Sequence, residues 1–184
     1  NYGCHYCYSM MQENERLRKL LGFKNEVNTN VVAARIIARD LSYWSRWVVL
    51  DKGIEDGVLP GMILVSDQGL IGRVVSAGKR ISRGILIIDG ESRVSVTVQS
   101  TRDTALLEGR GDDSLMMTLL SLDSEVKNGD AVITSGLGGT YPKGIPVGSV
   151  ELISVDRDEL HKNAVLKPFA DFNKLEEVLC LSTT

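Results

Sequence analysis

Apolar residues change rhythm once along the chain. Over residues 10–21 they recur at helical spacing, and Cys7, Met10, Asn14, Leu17 and Leu21 fall on alternating steps of three and four, the a/d seam of a coiled coil. Glu13 and Glu15 lie ahead of Arg16, Arg18 and Lys19, the order a helix dipole favours, and Gly22 supplies a stop. The pattern predicts a helix over residues 10–21. So short a helix is marginal alone in water, so its seam, Met10, Asn14, Leu17 and Leu21, must pack on the body or pair with a second copy. Asn14 at an a position would fix register and two-strandedness at some cost in stability.

From Val31 the rhythm becomes that of short strands rich in Val, Ile, Leu and Thr, broken by Gly, Asp, Asn and Ser. Strands are predicted over residues 31–39, 46–50, 62–65, 70–76, 85–88, 93–100, 105–109, 115–120, 131–135, 147–155, 163–167 and 177–181. Arg93 to Gln99 alternate apolar and polar with period two, which marks a strand with one buried and one wet face. A dozen short strands with turn chemistry between them imply sandwiches or small barrels, a mainly β fold.

An echo runs through these strands. Val58-Leu59-Pro60-Gly61 and Val126-Lys127-Asn128-Gly129 each lead into an apolar strand, and each is followed by a second matching element, around Gly72 and around Gly148. The physical reading is a glycine turn feeding a strand, then a strand whose glycine allows a bend or a close backbone approach. Residues 1–24 are thus read as a terminal segment and coiled-coil helix, and residues 25–184 as two interleaved or tandem β units with signatures at about 57–76 and 125–155.

Composition narrows the function classes. The 184 residues are 43% hydrophobic, with 18 Gly, 4 Pro and 5% aromatics, which suits a packed β protein with tight turns and excludes disorder as the main state. The 21 basic and 24 acidic side chains, net −3, lack the basic excess of a phosphate-neutralising protein, so no nucleic-acid partner is expected. Apolar runs reach only a handful of residues, against roughly 20 for a spanning helix. The chain begins at Asn1 rather than Met, which suggests a piece of a longer protein whose upstream part, including any anchor or signal, is absent here.

Four sets of residues invite chemistry. Cys4 and Cys7 form a C-x-x-C around His5, but a zinc site wants four ligands and only Cys180 and His161 remain as soft partners, so no metal is expected. The stretch from Gly136 through Gly138, Gly139, Pro142, Gly144 and Pro146 places Ile145 where a P-loop carries lysine, so it reads as an ordered turn with no cofactor. Ser135-Gly136 after Gly129-Asp130 offers the enzymatic alternative, a two-barrel serine hydrolase with Ser135 as nucleophile, whose base would have to be His5 or His161. Tyr43, Trp44 and Trp47 form an aromatic cluster that suits a core or a protein contact better than a stacking platform, given the acidic balance.

The sequence resembles the extracytoplasmic part of the MreC family of bacterial rod shape-determining proteins. The resemblance is carried by residues 13–23, by residues 32–40, by Asp51-Lys52-Gly53 with Asp56-Gly57-Val58, and by Gly69-Leu70-Ile71-Gly72-Arg73-Val74. Its strongest stretch is residues 129–148, from Gly129-Asp130 to Val147-Gly148, and residues 167–172 and 175–178 fit as well. The resemblance implies a coiled-coil helix followed by two small β-barrel domains, and no enzyme activity. It implies a homodimer with higher assembly, anchored in the cell membrane on its extracytoplasmic side. Its implied partners are the elongation penicillin-binding transpeptidase, MreD, RodZ and the MreB complex, and its implied role is a scaffold that recruits and activates peptidoglycan synthesis.

Overall fold

In the computed structural model, the structure describes residues 13, 16, 17, 19, 30–42 and 45–182. Glu13, Arg16, Leu17 and Lys19 are helical, while Met10, Asn14 and Leu21 of the predicted seam lie outside the described residues. Twelve strands follow: β1 (Val31–Leu41), β2 (Arg46–Leu50), β3 (Ile63–Val65), β4 (Leu70–Ala77), β5 (Ser82–Leu86) and β6 (Arg93–Val98), then β7 (Thr104–Gly109), β8 (Leu115–Ser121), β9 (Ala131–Thr134), β10 (Pro146–Val155), β11 (His161–Pro168) and β12 (Glu177–Leu181). A 3-10 turn, Ile54–Asp56, separates β2 from β3 and is closed by Gly57 at φ 94°.

The strands close into two antiparallel barrels. The first runs β1-β12-β3-β4-β5-β2 and the second β10-β11-β8-β7-β6-β9. The second barrel is continuous in sequence and sits between β5 and β12, so the last strand of the chain completes the first barrel. Closure leaves no free edge in either, which removes the main aggregation hazard of a sheet protein.

One predicted strand is displaced. The apolar run of residues 85–88 suggests a strand there, whereas β5 is Ser82–Leu86. Ile87 and Ile88 are buried instead in the connection between the barrels, where Ile88 O accepts the N–H of Gly111 at 3.0 Å. A short apolar run signals burial, and burial alone does not separate strand from connector.

The repeated signature has a matched geometry in the two barrels. Gly61 and Gly129 take left-handed conformations, φ 92° and 90°. The Gly61 N–H donates to Val74 O and the Gly129 N–H to Val150 O, at 2.8 and 2.7 Å. In return Val74 N–H reaches Met62 O and Val150 N–H reaches Asp130 O, at 2.8 and 2.9 Å. Gly72 and Gly148 sit where β4 meets β5 and β10 meets β11, and a Cβ on either would fall against the carbonyl of Ile85 or Lys167. Only glycine permits that approach.

The core is continuous through both barrels. Leu50, Ile63, Leu64, Leu70, Ile71 and Leu86 fill the first, and Leu107, Leu115, Met117 and Leu120 belong to the second, all fully buried within one cluster. Each such side chain contributes about 2 kcal/mol of transfer free energy.

Candidate protein-interaction surfaces

The loop between β9 and β10 joins the barrels. Its base is Thr134, fully buried at the end of β9, whose hydroxyl donates to Pro142 O at 2.5 Å and accepts the Ile145 N–H at 2.9 Å. The backbone of Thr134 pairs with Ile145 O and the Gly144 N–H, at 2.9 and 3.0 Å. Gly136, Gly138, Gly139 and Gly144 turn the chain with φ of 78°, 84°, 72° and 93°. This folds the loop so that Tyr141 is buried against Arg73 of β4 in the first barrel. Burial pushes the Tyr141 phenol up from its ordinary pKa, partly offset by the charge of Arg73 and its hydrogen bond.

Gly69, at φ 154° in the β3–β4 turn, approaches so near that a Cβ there would lie 2.5 Å from Pro146 O. Across the joint the Arg46 N–H donates to Asp89 at 2.6 Å, while its guanidinium reaches Gly111 O at 2.8 Å and Asp113 at 3.4 Å. Asp89 is 5% exposed and its other oxygen accepts the Glu91 N–H, so the buried carboxylate is satisfied. The returning crossover is held by Arg39, which donates to the carbonyls of Phe172, Asn173 and Leu175.

The expected glycines and prolines are therefore split by location. Gly57, Gly61, Gly69 and Gly72 shape the first barrel, Gly129, Asp130 and Gly148 the second, and Gly136, Gly138, Gly139, Pro142, Gly144 and Pro146 the joining loop. Asp130 caps its own turn by accepting the Lys127 N–H at 2.9 Å. Thr134, Tyr141, Arg73 and Arg46 are the residues that a reading of turns overlooks. The one local signal is a Thr ending an apolar strand immediately before a glycine-rich loop.

No catalytic constellation forms among the described residues. The Ser135 hydroxyl pairs with the Ser95 hydroxyl at 2.8 Å and accepts the Leu137 N–H. His161 begins β11 at the opposite end of the second barrel and pairs with Asp158 at 2.9 Å. That separation removes His161 as a base for Ser135, so among the described residues the hydrolase alternative has no supporting geometry. Trp47 carries the Arg83 guanidinium over its ring at 2.9 Å, so that face is covered. Cys180 is buried in β12, and burial together with Asp51 pushes its thiol up to about 12, which makes it inert. Cys4, His5, Cys7, Tyr43 and Trp44 lie outside the described residues.

A groove of about 520 Å³ runs between the helical residues and the β1–β12 face of the first barrel. Leu17, Ala33, Ala34, Val178 and Leu179 supply its apolar lining. Arg16 pins the helical residues to β12, with Glu177 at 2.5 Å, Glu13 at 2.6 Å and Glu176 at 3.6 Å. These three glutamates form an acidic cluster whose charge Arg16 partly offsets. No helix among the described residues is long and apolar enough to cross a membrane.

A family model for the barrel core of the rod shape-determining protein MreC matches residues 36–182. The cell shape-determining protein MreC of Escherichia coli K12 is 33% identical over 171 residues, which cover 92% of this chain and 47% of that protein. The chain thus spans about half the length of this curated relative. A solved MreC structure superposes with a TM-score of 0.86 at 28% identity, covering 95% of this chain and 99% of that one. A complex between a penicillin-binding protein, PBP2, and MreC from Helicobacter pylori matches with a TM-score of 0.62 over 83% of this chain and 99% of that one; at 21% identity that likeness concerns the fold.

Proposed function

Since the chain belongs to the MreC family of rod shape-determining proteins, we propose that it acts as a non-enzymatic scaffold, maintaining cell shape by recruiting and activating peptidoglycan synthesis enzymes outside the cytoplasm. The observation that carries this reading is a body with one continuous core, two edge-free barrels and a hydrogen-bonded joint, with no nucleophile and base brought together among its described residues. Such a body can hold partners at fixed spacing. In this reading the partner class is a penicillin-binding transpeptidase, as in the Helicobacter pylori complex, with MreD, RodZ and the MreB complex completing the assembly at the membrane.

The helical seam would pair two copies. Leu17 is 38% exposed beside the groove, and pairing doubles the number of barrels each complex presents and raises their local concentration. Leu17→Glu is expected to leave the β circular-dichroism signature intact and to yield a monomer by sedimentation; an unchanged dimer would remove the seam from this account. The function itself is tested in cells lacking the native protein. Full-length protein carrying Ser135→Ala should restore rod shape as well as the wild type does, and loss of complementation at wild-type abundance would revive the hydrolase.

A further inference from the structure

Two features meet at the end of the second barrel farthest from the joint. Among the described residues, the three non-glycine residues with left-handed backbone all lie there: Arg102 at φ 64° between β6 and β7, Glu159 at 58° between β10 and β11, and Leu119 at 64° within β8. Arg102 and Glu159 occupy tight turns, where that conformation is ordinary. Leu119 occupies a bulge. Leu120 pairs with Lys162 and Met117 with Ala164, so β8 carries one extra residue opposite Asn163, and Leu119 takes the left-handed slot usually given to glycine. A Leu there is strained, and at 57% exposure its side chain gains little burial in return.

The second feature is chemical. The register pairs His161 with Ser121, so Leu160 and Leu122 each lie one residue beyond that pair, and Val155 lies opposite Lys162. Leu119, Leu122, Val155 and Leu160 are exposed by 57, 40, 58 and 67%. Around them, residues 99–104, 121–130 and 151–162 hold eight carboxylates and four Lys or Arg, more net negative charge than the −3 of the whole chain. Lys162 is further engaged, donating to Ser124 O at 3.0 Å.

We propose that this end of the second barrel, centred on Leu119, is a docking surface for a protein partner with an apolar centre and a cationic rim. The charge complements such a partner and repels an anionic lipid surface. The strain at Leu119 is retained for the contact rather than for the fold. This surface rests on the scaffold reading and assigns to it one face of the molecule.

The test measures binding of the chain to the purified ectodomain of the elongation penicillin-binding protein from the same organism. Leu119→Asn suits a left-handed backbone, so its melting temperature should be unchanged or higher while affinity falls by about ten-fold or more. Glu151→Lys with Glu159→Lys should weaken binding and flatten its salt dependence. Wild-type binding that survives both sets of substitutions overturns the docking surface and leaves the scaffold reading standing. Absence of wild-type binding overturns the partner reading and the inference with it. Two other outcomes overturn the inference alone: Leu119-dependent binding to phosphatidylglycerol vesicles, which would make the surface a membrane contact, and loss of self-association in Leu119→Asn, which would make it a contact between copies.

Discussion

Read from the glycine-turn hairpin, the first barrel is ordered β3-β4-β5-β2-β1-β12 and the second β9-β10-β11-β8-β7-β6, so each strand has a counterpart in the same circular position. Their frameworks agree down to single hydrogen bonds, Gly61 to Val74 matching Gly129 to Val150. They diverge at their ends. The β3–β4 turn is short, closed by the Ser66 N–H donating to Gly69 O at 2.9 Å, whereas its counterpart is the long loop that carries Tyr141 across to Arg73. The first barrel takes the helical residues against β12; the second ends in an acidic tip with a strained leucine. Backbone geometry is held fixed by a few glycines, and the differences that matter for recognition accumulate where strands stop.

The equivalence is broken hardest by filling its close approaches. Gly72→Ala and Gly148→Ala should each destabilise the protein by about 3 kcal/mol, the upper part of the overpacking range, because the added methyl meets a backbone carbonyl that cannot move aside. Urea denaturation with both variants checks this, and tolerance of one alone would show that the two strand pairs are not equivalent. Gly69→Ala acts on the joint instead. It should cost about 2 kcal/mol and split a single calorimetric transition into two, since the methyl would press on Pro146 O.

A smaller effect is expected at Arg46. Arg46→Ala removes charged hydrogen bonds to Gly111 O and Asp113 but keeps the backbone bond to Asp89, so it should lower stability by about 1.5 kcal/mol, measured by the urea midpoint. The smallest effect is a pH slope. Burial raises the folded pKa of Tyr141 above its ordinary 10.0, so the folded protein holds that proton more tightly than the unfolded chain. That stability is present below 10.0 and is lost as pH rises through the raised value. Urea midpoints between about pH 9 and 11 should fall more steeply for the wild type than for Tyr141→Phe.

Much of the framework was legible because it is local. Period-two alternation marked β6, whose burial alternates along Arg93–Val98, and glycine spacing marked the two hairpins. β5 was obscured because its inward positions include Ser82, 3% exposed, and Gly84, both polar or neutral in a pattern reading, while Ile87 and Ile88 mimicked a strand. The nesting of one barrel within the other was not legible, since β12 pairs with β1 and β3 across more than a hundred residues and carries no local sign of its partners. Leu119 was hidden for the opposite reason. A bulge is ordinarily announced by glycine, and here a leucine fills the slot.

The placement of β12 also sets an order of events during synthesis. All six strands of the second barrel, β6 to β11, are consecutive in the chain, so that barrel can close without waiting for any later strand. The first barrel has five strands ready much earlier, yet β1 and β3 keep open edges until residues 177–181 arrive to bridge them. Until then β1 and β3 flank a gap in the first barrel that β12 alone fills, while the inserted second barrel follows β5 in the chain, on the far side of β4 and β2 from that gap.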